Sequence, residues 1–259
     1  MITYQGRWLK SGEVWFDDKP VHKEVDILTY IQCDNPVNGA DCRPFHTLLI
    51  DLSPSATELL ATLSENTRYK IRRGAEKDGV KYRGWNSSPP EVMAAFSEFY
   101  DRFASQKGLG QLNRVYLNAL EAAGVLDISC VTDKEGRDLV WHVHYRNRHR
   151  ARLLYSASLF REVENSALRN LIGRANRYHH WQDMLRFKQA GIRVYDFGGW
   201  YQGTTDTEKL GINRFKAEFG GTVVTNYNCK LLLTAKSRLL VNAGKWLERA
   251  MEPRNGARM

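Results

Sequence analysis

GIRVYDFGGWYQGTTDTEKLGINRFKAEFGG, residues 191–221, is the stretch on which the reading of this chain turns. Gly191 suits the end of a preceding helix, because glycine takes the left-handed cap conformation without a Cβ penalty. The apolar run 192–197 is long enough for one buried strand. Gly198 and Gly199 follow at once, and they allow a sharp turn and a close ligand approach. A polar loop, 200–207, leads into a helix predicted over 208–219, which carries Lys216 near its end and stops at Gly220 and Gly221. An acid at one end (Asp196) and a lysine at the other make this segment a candidate floor for an active site. The same pattern suits an ordinary strand–loop–helix connection, and the residues alone leave both readings open.

The rest of the chain bounds the answer. Its 259 residues allow one large domain or two small ones, and 42% apolar residues supply a sizeable core. A formal charge of +9 favours an anionic partner such as a nucleotide, a nucleic acid or a membrane surface. The four cysteines, Cys33, Cys42, Cys130 and Cys229, form no CxxC pair and read as free thiols in a reducing cytosol. The N-terminus lacks an apolar signal core, and no apolar run is long enough to span a bilayer. The expected location is therefore cytoplasmic, with peripheral attachment at the inner membrane face also compatible.

Working outward along the chain, residues 1–50 hold short strand-like pieces between turn-rich stretches. Ser53 and Pro54 read as the start of a helix, with Ser53 as its N-cap. A second helical piece carries Arg68, Lys70, Arg72, Arg73 and Lys77, a density of cations suited to phosphate. A strand is predicted over 80–85, then helices over 90–107 and 114–123. Strands over 127–132, 138–145 and 151–159 read as an antiparallel meander. A long helix over 165–190 follows, then the pivotal segment, one long strand or two short ones over 222–233 and a terminal helix over 236–250. From residue 80 the order is β-α-α-β-β-β-α-β-α-β, which is that of the GNAT acyltransferase fold.

The motifs sharpen the match. Tyr195-Asp196-Phe197-Gly198-Gly199, followed by Ile212, Phe215-Lys216 and Phe219-Gly220-Gly221, resembles the C-terminal signature of the FemAB-like branch of the GNAT superfamily. Upstream, residues 48–80 resemble that family's "dL…Ry.irra.k.gv" segment, and the resemblance spans roughly residues 46–233. It implies an α/β (α+β) fold: a mixed, mostly antiparallel sheet flanked by helices, with a small β-rich N-terminal extension. It further implies a GNAT-like domain over 80–250, with 1–79 as a partial or degenerate partner. The family transfers acyl or aminoacyl groups to amines, so acyl-CoA or aminoacyl-tRNA is the implied co-substrate, with no permanently bound cofactor. One departure stands out. Where GNAT enzymes carry a Q/R-x-x-G-x-G/A loop for the CoA pyrophosphate, residues 160–166 here hold no glycine and two acids. Either arginines hold the donor, or the donor is not CoA.

Amide formation needs a deprotonated amine, a stabilised oxyanion and two reactants held together. Lys216 is the first candidate for the electrostatic role; in the resembling family the lysine of the "FK" pair is tied to activity. Asp196 suits an amine's proton or cation, and equally suits holding the following loop. His142 and His144 alternate on one strand face and are candidate bases, though a structural histidine is the commoner case. Phe215, Gly198, Gly199 and Tyr201, with Arg68, Arg72 and Arg73, are the candidate donor- or substrate-binding residues. His179 and His180 read as facing partly outward. No zinc spacing, dinucleotide fingerprint, P-loop or serine elbow is present, so no metal is expected and direct transfer is the simplest chemistry. The leading expectation is transfer from acyl-CoA to the amine of a small envelope-related acceptor, such as a nucleotide-linked amino sugar. Its rivals are aminoacyl transfer from tRNA and a non-catalytic binding module.

Overall fold

The computed structural model describes residues 1–16, 18–20, 24–160 and 165–251, with side chains placed through 243. Among them are ten strands and seven α-helices, in mostly antiparallel pairing. The chain forms two compact units, residues 1–45 with 226–259 and residues 46–225. These boundaries differ from the 79/80 division that the resemblance implies.

In the first unit β1 (Ile2–Gln5) pairs antiparallel with β2 (Lys10–Trp15), and β2 pairs parallel with β3 (Ile27–Cys33). β3 pairs antiparallel with the later half of β10 (Thr222–Leu232). Val14, Val25 and Leu28 form its apolar centre. Cys42 and Cys229 are joined by a disulfide, and Cys33 Sγ lies 4.0 Å from Cys229 Sγ. The reading of four thiols is corrected here. A separation of 187 residues carries no spacing signal, so only the fold reveals the pair.

The second unit carries the sheet order β4-β9-β8-β7-β6-β5. Its strands are the inner part of β4 (Asp41–Asp51), then β5 (Lys81–Trp85), β6 (Leu126–Thr132), β7 (Asp138–Arg146), β8 (Arg150–Ser158) and β9 (Val194–Gly199). The expected meander is β6–β7–β8. β7 is buried from Leu139 to Tyr145, as befits a central strand covered on both faces. Alternation along β7 sends Trp141 against Phe96 of α3 (Pro90–Lys107). It sends His142 against His179 of α5 (Ser166–Gln189). α5 thus covers one face, and α3 and α4 (Arg114–Ala122) the other.

α1 (Ala56–Thr62) begins two residues later than expected. Ser55, not Ser53, is its N-cap, because Ser55 and Glu58 close a reciprocal capping box. α2 (Glu65–Arg73) runs on into a π-helical turn, Gly74–Asp78. α6 (Thr207–Ala217) and Phe219 bring their apolar side onto the core formed by Leu48, Ile50, Trp181 and Phe197. α7 (Ala235–Met251) closes the chain.

Gly221 shows why the helix after the pivotal loop must end in glycine. Its φ is +88°, and a Cβ there would lie 2.4 Å from the Leu49 carbonyl oxygen. Gly221→Ala is expected to cost about 2–4 kcal/mol, strain and overlap together. Gly79→Ala, at φ +64° with 3.6 Å to the nearest atom, should cost only about 1 kcal/mol. Urea denaturation of the two variants checks the difference.

Candidate functional site in the split between two parallel strands

β8 and β9 run parallel and are paired only where Arg150, Ala151 and Arg152 oppose Val194, Tyr195 and Asp196. Beyond that the strands part, and a cavity of about 530 Å³ opens there. β8 lines it with Leu153 and Ser156, β9 with Phe197, α5 with Asn176 and His180, and α6 with Phe215 and Lys216. A wider groove of about 790 Å³ along α3 and α4 contains none of these groups.

Lys216 sits in the last turn of α6 and is 9% exposed. Its Nζ donates to the carbonyl oxygens of Gly199 (2.6 Å) and Gly198 (3.3 Å). An ammonium carries three protons, so one remains for a ligand. Burial pulls its pKa down to about 8, against the opposing pull of Asp196 and with help from Arg152. The lysine stays largely cationic at neutral pH. The carbonyl that receives it is presented by Gly198, whose φ is +71° and whose Cβ would meet the Leu153 oxygen at 3.2 Å. A side chain there would push β8 and β9 apart.

Asp196 lies behind the cavity rather than on its wall, fully buried. Arg150 grips its Oδ2 through Nε (3.0 Å) and Nη2 (2.7 Å). Thr47 Oγ1 and the Gly198 amide donate to Oδ1. Of the two readings that the sequence left open for Asp196, these bonds describe the loop-holding one. Phe215 lines the cavity and stacks beneath the Arg177 guanidinium at 4.8 Å. Tyr201 stands off the wall: its backbone N–H and carbonyl are both bonded to the Asn213 side-chain amide.

His142 and His144 are fully buried between β7 and α5. His142 Nδ1 lies 2.7 Å from Asp183 Oδ2, and its Nε2 lies 3.1 Å from Asn176 Oδ1. Ser129 Oγ and Tyr82 OH each donate to Asp183 Oδ1 at 2.8 Å. His144 Nε2 lies 3.2 Å from Tyr195 OH, whose other neighbour is His180 Nδ1 at 2.8 Å. His179 and His180, read from sequence as partly outward, are 0% and 2% exposed. α5 packs on β6 and β7, and Phe197, Phe215 and Phe219 close over His180, so both neighbouring positions of its face are covered. His180 is caged by Phe197, Phe215 and Phe219, with ring centroids 4.8–5.6 Å away. Sequence reasoning missed His180, Asn176, Tyr195 and Asp183 as a set. A signal existed, since the polar residues at 176, 179, 180 and 183 recur at helical spacing on one face of α5.

His142, His179 and Asp183 bring ligand atoms within 4.8 Å of one another. The His142 and His179 rings, however, stack 3.7 Å apart at 8° to one another. An ion about 2.1 Å from each nitrogen and in the plane of each ring cannot lie between two such parallel rings. As arranged, the trio is held by hydrogen bonds, His142 to Asp183 and His179 to Ser129.

The basic residues divide. Arg73, with Lys70, Arg169, Arg174 and Arg177, lines a recess of about 270 Å³ that shares Phe160, Gly173 and Arg177 with the main cavity. Asp78 pairs with Arg174 and Glu218 with Arg177. Lys70 is held below its ordinary pKa by burial and by Arg177. Arg68 instead donates to the Ala61 carbonyl, and Arg72 is exposed. In the expected donor loop, residues 161–164 lie outside the described residues.

Neither a protein-family model nor any curated protein matches this chain. Solved structures do. FemX aligns with a TM-score of 0.58 at 15% identity, over 76% of this chain and 63% of its own. The C-terminal domain of a protein assigned as lysylphosphatidylglycerol synthetase, from Agrobacterium fabrum, aligns at 0.55 with 14% identity, over 85% and 72%. The chain shares the fold of these two structures. L-PGS from Bacillus licheniformis aligns at 0.50 with 13% identity, again over 85% and 72%. This chain therefore spans less than two thirds of FemX.

Removing the guanidinium that Asp196 shares should be costly. Arg150→Ala is expected to lose about 3–5 kcal/mol in chemical denaturation. Lys216 gives a pH signature. Its folded pKa lies below that of the unfolded chain, so the unfolded state holds more protons between about pH 8 and an ordinary lysine's 10.5. Stability contributed at this site should rise with pH across that window, and Lys216→Met should remove the rise.

Proposed function

We propose that this protein is an N-acyltransferase that moves an acyl or aminoacyl group from a phosphate-bearing carrier to an amine, in the cavity between β8 and β9. The observation that carries the reading is Lys216: a buried ammonium, anchored by two carbonyls, with one proton left at the wall of a small-molecule-sized cavity. A preorganised cation of this kind stabilises the oxyanion that forms as an amine attacks a carbonyl. The amine lone pair makes the C–N bond, and the bond from carbonyl carbon to carrier breaks. The proton lost by nitrogen balances the charge on the departing carrier atom. Nothing in this sequence of events needs a covalent enzyme intermediate.

The recess beside the cavity supports a charged carrier. Lys70, Arg73 and Arg169 there add to two arginines whose charges are already balanced by Asp78 and Glu218. A phosphate in the recess would leave its acyl end reaching past Arg177 toward Lys216. Acyl-CoA has this shape, and the acceptor would be a small amine such as that of a nucleotide-linked amino sugar. A second reading has its own support. Arg72, exposed on α2 beside Arg73, adds a cation outside the recess, as the longer phosphate backbone of an aminoacyl-tRNA would need. The name of the lysylphosphatidylglycerol synthetase domain agrees with a group-transfer enzyme.

The test is a thermal-shift screen with acetyl-CoA and with bulk tRNA, followed by transfer of labelled acyl groups to amine acceptors. Lys216→Met is expected to lower kcat by about 10²–10³-fold while keeping the fold. Wild-type activity should fall as pH rises past about 8, where Lys216 loses its charge. Undiminished turnover in Lys216→Met would overturn the reading. A tRNA affinity that drops steeply with salt would favour the second donor.

A further inference from the structure

We infer that His180 presents a neutral, permanently donating Nε2–H to the cavity, and serves there as a second hydrogen-bond donor to the acyl oxygen rather than as a base. The role rests on the transferase reading; the protonation state does not. The argument starts at Tyr195, whose hydroxyl lies between His180 Nδ1 (2.8 Å) and His144 Nε2 (3.2 Å). All three groups are deeply buried, and burial holds each in its neutral form: both imidazoles well below, and the phenol well above, their ordinary pKa values. A neutral phenol has one proton to give. One histidine must therefore donate to Tyr195, and the other must accept from it.

Three observations select the direction. His144 Nδ1 is buried with no hydrogen-bond partner. A proton there would be an orphaned donor, whereas a lone pair is the lesser loss. His144 Nε2 also lies 3.7 Å from Asp183 Oδ2, which favours a proton on that nitrogen. The shorter of the two bonds is the one to His180, as expected where the O–H is the donor. The chain of donation runs from His144 Nε2–H to the Tyr195 oxygen, and from Tyr195 O–H to His180 Nδ1. A neutral His180 then carries its own proton on Nε2.

The hydrogen bond that holds His180 is made through Nδ1, which leaves Nε2 as the ring nitrogen available to a ligand, and His180 lines the same cavity as Lys216. Phe197 from β9, Phe215 from α6 and Phe219 just beyond α6 surround the ring. The titratable groups around it are His142 and His144 on β7, His179 and Asp183 on α5, Tyr195 on β9 and Lys216 on α6. An imidazole that stays neutral and always donates suits an acyl carbonyl oxygen as negative charge builds on it. It cannot take up the amine's proton, because its only lone pair is occupied by Tyr195.

Long-range proton–nitrogen NMR of the protein labelled with ¹⁵N in its histidine rings tests this, with His180→Gln assigning the signal. The expected result is a neutral Nε2–H ring unchanged from about pH 7.5 to pH 5.5, the window in which an ordinary histidine titrates. In Tyr195→Phe the proton should redistribute between the two nitrogens. A proton on Nδ1, or an imidazolium forming within that window, overturns the inference. These spectra need no substrate, so they stand apart from any failure of the transferase reading. In turnover, His180→Ala should lose about 10²-fold in kcat while His180→Gln, which still donates but cannot act as a base, keeps most of it. Equal loss in both variants would count against the donor role.

Discussion

The guanidinium of Arg150 holds the carboxylate of Asp196 at the last place where β8 and β9 are still paired. A buried carboxylate must be paired and hydrogen-bonded to remain charged, and Arg150, Thr47 and the Gly198 amide together meet that demand. The same bonds set the path of the glycine pair that follows. Because Gly198 bends with a positive φ, the carbonyls of residues 198 and 199 turn toward α6 and meet the Lys216 ammonium. The ion pair is therefore the anchor of the split and, through it, of the cavity and its lysine.

Burial acts on two cavity groups with opposite consequences. Lys216 starts from a high pKa, so a drop to about 8 still leaves it cationic at neutral pH. His180 starts near neutrality, and its aromatic cage removes its charge altogether. One wall therefore offers a charged donor and another a neutral one, from a single physical cause. The hydrogen bonds behind them leave little freedom. Lys216 is tied to backbone, and His180 is tied through Tyr195 to a histidine and a carboxylate that Ser129 and Tyr82 fix in turn.

Much of the architecture was legible from residue pattern. The run of strands from residue 126 to 158 alternates as an antiparallel meander should, and the helix of residues 166–189 shows its 3–4 spacing. The pivotal segment folds as strand, glycine turn, loop and helix. Errors fell where two local signals competed or where no local signal exists. Ser53 and Ser55 both precede a helix, and the reciprocal bond with Glu58 decides for Ser55. Cys42 and Cys229 lie too far apart in sequence to announce their bond. His179 and His180 are adjacent polar residues on a helix that also carries arginines, so an outward reading was natural. Only the packing of α6 and β7 against α5 buries them both.

Composition and periodicity by themselves determined the order of strands and helices, with Lys216 near the end of the helix after the glycine turn; the helix-flanked, mostly antiparallel fold was what the resemblance of the segment around residue 196 implied. Such properties are local, because backbone conformation and side-chain periodicity depend on near neighbours. What only the tertiary structure decided is which side chains share a solvent-shielded space. It placed Asp196 behind the cavity, brought His180 to its wall, and drew Arg73 together with arginines from a helix about a hundred residues later. Protonation and hydrogen-bond direction follow from that shared burial, and burial is set by the packing of segments distant in sequence.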